Sequence, residues 1–74
     1  MVKLPVISGK ELIKILENLG FKFVHQKGSH RYLQKGKYKT CVPLHKELAK
    51  GTLLAILKQC GLTREDLLKL YHKK

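Results

Sequence analysis

Acidic residues are what this 74-residue chain has least of: five Asp and Glu stand against sixteen Lys and Arg, for a net charge of +11. Their distribution is more informative than their number. From Asn18 to Lys46 there is no carboxylate, while Lys22, Lys27, Arg31, Lys35, Lys37, Lys39 and Lys46 all fall there. The excess is larger than solubility requires and favours a polyanionic partner, nucleic acid first, or an acidic protein. Without clustered carboxylates, a site that holds a divalent cation through hard oxygen ligands is not expected.

Cysteine is also scarce. A zinc site made from Cys41, His45 and Cys60 would lack a fourth ligand and the usual paired spacing, so no metal is expected. Met1 to Gly20 carries Lys3, Lys10, Glu11, Lys14 and Glu17 and no apolar core run, so a secretory signal is not expected. A cytoplasmic location follows, in which Cys41 and Cys60 stay reduced; Cys60 falls on the apolar spacing of a helix and reads as a small core residue. Long hydrophobic runs are missing too. The longest uncharged one, Leu53 to Leu57, is far shorter than a membrane span, so no membrane association is expected. Seventy-four residues allow one domain, 1–74 with a core from about 8 to 70, and a chain this short buries only about 60% of its unfolded surface. An enclosing cofactor pocket is therefore not expected, no cofactor is implied, and function belongs on a surface or in a shallow groove.

What is present is ordered punctuation. Ser8-Gly9-Lys10-Glu11 matches a capping box, and Leu12, Ile13, Leu16 and Leu19, widened by Ile15, form a helical apolar stripe that Gly20 ends. From Phe21 the period changes to alternation, which predicts a strand to Gln26 with Phe21 and Phe23 on one face. Lys27-Gly28 bends the chain into a second strand, Ser29 to Gln34, with His30, Tyr32 and Gln34 on one face and Arg31 and Leu33 on the other. Gly36 turns it into a third strand, Tyr38 to Val42, ended by Pro43. Gly51 and Thr52 read as caps of a helix from about Leu53 to Cys60, with Leu53, Ile56 and Leu57 on its stripe and Gly61 closing it. Thr63-Arg64-Glu65-Asp66 opens a short terminal helix that buries Leu67, Leu70 and Tyr71, and the tail Tyr71 to Lys74 is expected to fray. The predicted fold class is α+β: a two-layer domain of helix, three-stranded antiparallel meander, helix and short helix.

The stretch Lys27-Gly28-Ser29-His30 lies in the middle of the cationic block. Glycine permits a tight bend or a close backbone approach, so the side chains after it can stand open to solvent at a strand's mouth. Histidine is the side chain that both takes and gives a proton near neutral pH, which makes His30 the candidate acid–base group.

Together, the opening helix closing on Gly20-Phe21, the run Gln26-Lys27-Gly28-Ser29-His30, the strand end Val42-Pro43 with His45, and Gly51-Thr52-Leu53 with Ile56-Leu57-Lys58-Gln59 resemble the HicA family of bacterial toxins. The resemblance spans about Ser8 to Leu68. It implies a fold similar to double-stranded RNA-binding domains, a ribonuclease acting on messenger RNA with its catalytic histidine at His30, and neutralisation by a HicB-like antitoxin. At His25 the chain departs from the family, in which arginine is common.

The residues suit that chemistry on their own. RNA is cleaved without metal when a base removes the proton of its 2′-hydroxyl and nearby cations stabilise the growing charge on phosphate. His30 is the base, His45 is a second candidate proton donor, and Lys22, Lys27, Arg31 and Lys39 supply cations. Amides around Gly28 can cradle a phosphate, Ser29 can orient one, and Tyr32 can stack a base. A non-catalytic RNA-binding module uses the same charge and fold without needing the histidine. DNA binding through a recognition helix fits less well, because the cations cluster on the strands and the helix at Leu53 carries only Lys58.

Overall fold

Ser8 converts an extended lead into the first helix. Its hydroxyl accepts the Glu11 backbone N–H at 3.1 Å, while the Glu11 carboxylate accepts the Ser8 N–H at 3.2 Å, which satisfies two of the four donors a helix start leaves open. In the computed structural model, which describes residues 4–73, helix α1 (Gly9–Asn18) is followed by strands β1 (Lys22–Lys27), β2 (His30–Lys35) and β3 (Tyr38–Pro43), then by helices α2 (Lys50–Gln59) and α3 (Arg64–Lys73). The fold is the expected α+β arrangement, an antiparallel sheet in the order β1-β2-β3 with helices on one face, consistent with a double-stranded-RNA-binding-domain-like fold.

The core lies between these layers. Leu12, Ile15 and Leu16 of α1 meet Leu33 and Val42 of the sheet and Leu53 and Leu57 of α2, and Leu67 of α3 joins the same cluster. Full burial of each such side chain contributes about 1.5–3 kcal/mol. Cys60 is part of this cluster, as its spacing predicts, and burial pushes its thiol up from the ordinary cysteine range, with a bond to Thr40 opposing the shift. No helix among the described residues is long and apolar enough to cross a membrane.

Four local expectations change. Phe21 does not belong to β1, and its burial differs from that of Phe23. The Gly20 N–H bonds to the Glu17 carbonyl and the Phe21 N–H to the Leu16 carbonyl, a Schellman closure that places Phe21 in the core, 4% exposed, while Phe23 is 54% exposed on the strand. Helix α2 starts earlier than Leu53. Its N-cap is Ala49, with no side-chain cap bond, and Gly51 and Thr52 sit inside its first turn. Leu48 sets this start instead: its side chain is buried and its N–H bonds to the Ile7 carbonyl, so tertiary anchoring replaces the cap. At the far end α3 is longer than the short helix expected, ten residues that run to Lys73, its start held by reciprocal Thr63–Asp66 bonds; Lys74 is outside the described residues. Lastly, β3 includes Pro43, which pairs opposite His30.

Candidate nucleic-acid interface

Strand pairing sets which side chains share a face, because directly opposed residues project to the same side of a sheet. Reading across the three strands, the face away from the helices carries three rows: Lys27, His30 and Pro43; His25, Tyr32 and Cys41; and Lys22, Gln34 and Lys39. The covered face carries Gln26, Arg31 and Val42, then Phe23, Leu33 and Thr40. The open face thus gathers three lysines and two histidines and has no carboxylate. All five acidic residues lie on the helices or in the β3–α2 connection.

His30 opens β2 directly after a two-residue turn, Gly28-Ser29, and is exposed opposite Lys27. Gly28 has φ +59° and no other residue of the turn has positive φ, which fits the hairpin type that takes glycine first and twists with its strands. A Cβ at Gly28 would meet no atom within 4 Å, so the requirement there is conformational and the space above the turn is open. The Gln26 side-chain amide donates to the Gly28 carbonyl at 3.1 Å, and the Ser29 carbonyl accepts the Leu44 N–H at 2.7 Å, so the turn is held from β1 and from the residue that follows β3.

His45 comes to the same end of the sheet. Leu44 is bonded to Ser29, Pro43 is paired with His30, and the His45 carbonyl accepts the Gly9 N–H of α1 at 2.9 Å. Its backbone is thereby fixed, and its side chain is exposed.

Arg31 is not brought to this face. Its guanidinium lies on the opposite side, donating through Nε and Nη2 to the Gln26 Oε1 at 3.2 and 3.1 Å and lying 5.5 Å from the centre of the Phe23 ring. Of the sequence-predicted contacts, Lys22, Lys27, His30, Tyr32 and Lys39 therefore share the open face, Gly28 and Ser29 form its hairpin edge, and Arg31 stands behind it.

One contributor was not visible in the alternation. Strict period two would put His25 on the side of Phe23, but a bulge between Phe23 and His25 turns it over to pair with Tyr32. The two rings stack with centroids 4.3 Å apart and planes 13° from parallel. Cys41 adjoins Tyr32 and raises its phenol above the ordinary tyrosine pKa, by hydrogen bonding first and electrostatics second. A shallow groove of about 390 Å³ adjoins this pair, lined by His25, Tyr32, Gln34, Lys39 and Cys41 of the open face, by Leu33 and Thr40 of the covered face, and by Val24 and Gln59. Among the described residues no three His, Cys, Asp or Glu side chains come together as metal ligands.

Among known families, the one described as the HicA toxin of bacterial toxin–antitoxin systems matches residues 9–62, from the first residue of α1 to just past α2. No curated protein matches the chain.

Proposed function

The chain belongs to the HicA family, the toxins of bacterial toxin–antitoxin pairs, and from that premise we propose that it is an endoribonuclease that cleaves messenger RNA with His30 as its acid–base group. The observation that carries this reading is the position of His30: exposed, at a fixed hairpin, opposite Lys27, on a sheet face with further cations and no carboxylate.

The chemistry needs little beyond these groups. His30 removes the proton from a ribose 2′-hydroxyl, the oxygen attacks the adjacent phosphorus, and the bond to the 5′-oxygen of the next nucleotide breaks. The 5′-oxygen leaves with a proton from an imidazole, either His30 after its first transfer or His45, so the products are a 2′,3′-cyclic phosphate and a 5′-hydroxyl. Lys27 stabilises the charge that grows on the phosphate oxygens, with amides of the Gly28-Ser29 turn as further donors. Lys22 and Lys39 hold the strand along the sheet, and Tyr32 contacts a base. The partner is of the antitoxin kind, and we take it to be a HicB-like acidic protein that silences the toxin by covering this face, its complementary charge speeding association.

Cleavage of a defined RNA tests the mechanism. It should persist in EDTA, stop when the scissile nucleotide is 2′-deoxy, and leave a 2′,3′-cyclic phosphate. His30→Ala should slow it by roughly 10² to 10⁴ while leaving RNA affinity and folding nearly unchanged, the usual share of one positioned proton-transfer group. His45→Ala assigns the second imidazole through loss of one limb of the pH–rate profile. If His30→Ala cleaves as fast as the parent, the chemistry lies elsewhere, and a chain that binds RNA without cleaving it is the alternative binding module.

A further inference from the structure

The second row of the open face is built differently from the first. His25 and Tyr32 are already a face-to-face aromatic pair, 4.3 Å between centroids and 13° between planes, and they line the groove together with Gln34, Lys39 and Cys41. His25 reaches this position only because of the strand bulge that reverses its side. We propose that this pair is a base-stacking subsite for single-stranded RNA, separate from His30, that receives the nucleobase next to the scissile phosphate. The proposal rests on the ribonuclease reading for its substrate class and extends it with a residue, His25, that binds the substrate away from the reacting atoms.

Three features support it. The stacked rings, with His25 on the exposed side, offer a flat π surface to which a base adds as the next layer, a contact that tolerates any sequence because every base has a π face. Tyr32 lies two residues beyond His30 on the same strand face, ~6.8 Å away at the usual strand rise, about one nucleotide along an extended chain. The surroundings suit a nucleotide more than an apolar side chain: Lys39 supplies a cation for its phosphate. Gln34, whose Nε2 donates to the Gly36 carbonyl at 3.0 Å, gives a fixed polar wall.

The test uses 2′-O-methyl RNA oligonucleotides, which cannot be cleaved, with 2-aminopurine placed at one position at a time, so that stacking is read as fluorescence quenching independently of catalysis. The parent should quench strongly at one position adjacent to the scissile site. His25→Ala and Tyr32→Ala should each abolish that quenching and weaken binding by about tenfold, within the range for loss of one stacked base. Tyr32→Ala should leave the salt dependence unchanged, since no phosphate contact is removed. His25 is exposed, so its replacement leaves the core intact, and His25→Phe should restore both quenching and affinity by restoring the ring. Uniform or absent quenching in the parent, or unchanged quenching and affinity in His25→Ala, overturns the subsite. Positional quenching in a parent that does not cleave natural RNA supports the subsite and removes the ribonuclease reading alone.

Discussion

At Gly9 a hydrogen atom is the largest side chain the fold admits. The residue is buried at the start of α1, its N–H is held by the His45 carbonyl, and a Cβ there would collide with the Pro43 carbonyl oxygen and come within 3.1 Å of the Leu44 Cα. Those obstacles are backbone and cannot rotate away. Gly9→Ala should therefore lower stability by about 1–3 kcal/mol, the usual cost of forcing extra volume into a packed site. Gly51 is the matched control: it lies inside α2, where an added methyl would meet nothing within 4 Å, so Gly51→Ala should raise stability by about 0.4–1 kcal/mol through the unfolded chain. Urea unfolding of the two variants decides the matter, and equal effects of like sign would remove the close-approach account. Pro43 is paired with His30, so strain at Gly9 also reaches the candidate acid–base group. Ser8 and Glu11 announce the helix start in the sequence, whereas the need for glycine between them is tertiary and was not legible there. The side of Arg31 was legible from alternation, but its capture by Gln26 and Phe23 was not, because that depends on cross-strand register.

The elements share a repeated punctuation. Each helix has an apolar residue just before its cap and another at its fourth position, Ile7 with Leu12, Leu48 with Leu53 and Leu62 with Leu67, the spacing of a hydrophobic staple. Helices α1 and α2 close identically, Gly20-Phe21 repeating as Gly61-Leu62 with the same pair of backbone bonds. The hairpins repeat as well: Gln26-Lys27-Gly28 and Gln34-Lys35-Gly36 each place a glutamine amide on the glycine carbonyl. This is why helix count, strand count and hairpin positions could be read from local residues. The start of α2 could not, since its staple is present but its side-chain cap is absent, and the β1 bulge leaves no local signature. Helix α3 is the element whose start responds to pH. The Thr63 backbone N–H, then the Thr63 hydroxyl, then Lys69 hold the Asp66 carboxyl below the ordinary aspartate value of 3.8. A carboxylate whose pKa is lowered by folding stabilises the folded state above its unfolded value, and that contribution is lost as pH falls through the lowered one. Asp66→Ala should thus lower the melting temperature at pH 7, and the gap to the parent should shrink below pH 3.8. A gap of the same size at pH 2 would mean that the carboxylate charge plays no part in holding α3.

Over the whole molecule, charge is sorted by layer. The acidic residues stand on α1, α3 and the β3–α2 connection, while the sheet from residue 22 to residue 43 has none and exposes Lys22, Lys27 and Lys39 on its open side. Lysines also occur on the helices, where Lys14 and Lys58 are exposed on the other layer. If charge total alone drove RNA binding, every lysine would count equally. If the open face is the contact, only its own lysines release counterions from the RNA. For single strands the logarithm of affinity falls with the logarithm of salt concentration by about 0.7 for each phosphate neutralised, so the three lysines of the open face account for a slope of about −2. Replacing Lys22, Lys27 and Lys39 together by Gln should make that slope shallower by about 2, the share of three contacts. Replacing Lys14 and Lys58 by Gln removes two charges and should leave the slope within error of the parent. The comparison is made with a non-cleavable RNA across a salt series, so it does not depend on His30. Equal flattening by the helix and sheet variants would mean that binding follows net charge, and the open face would then lose its claim to be the interface.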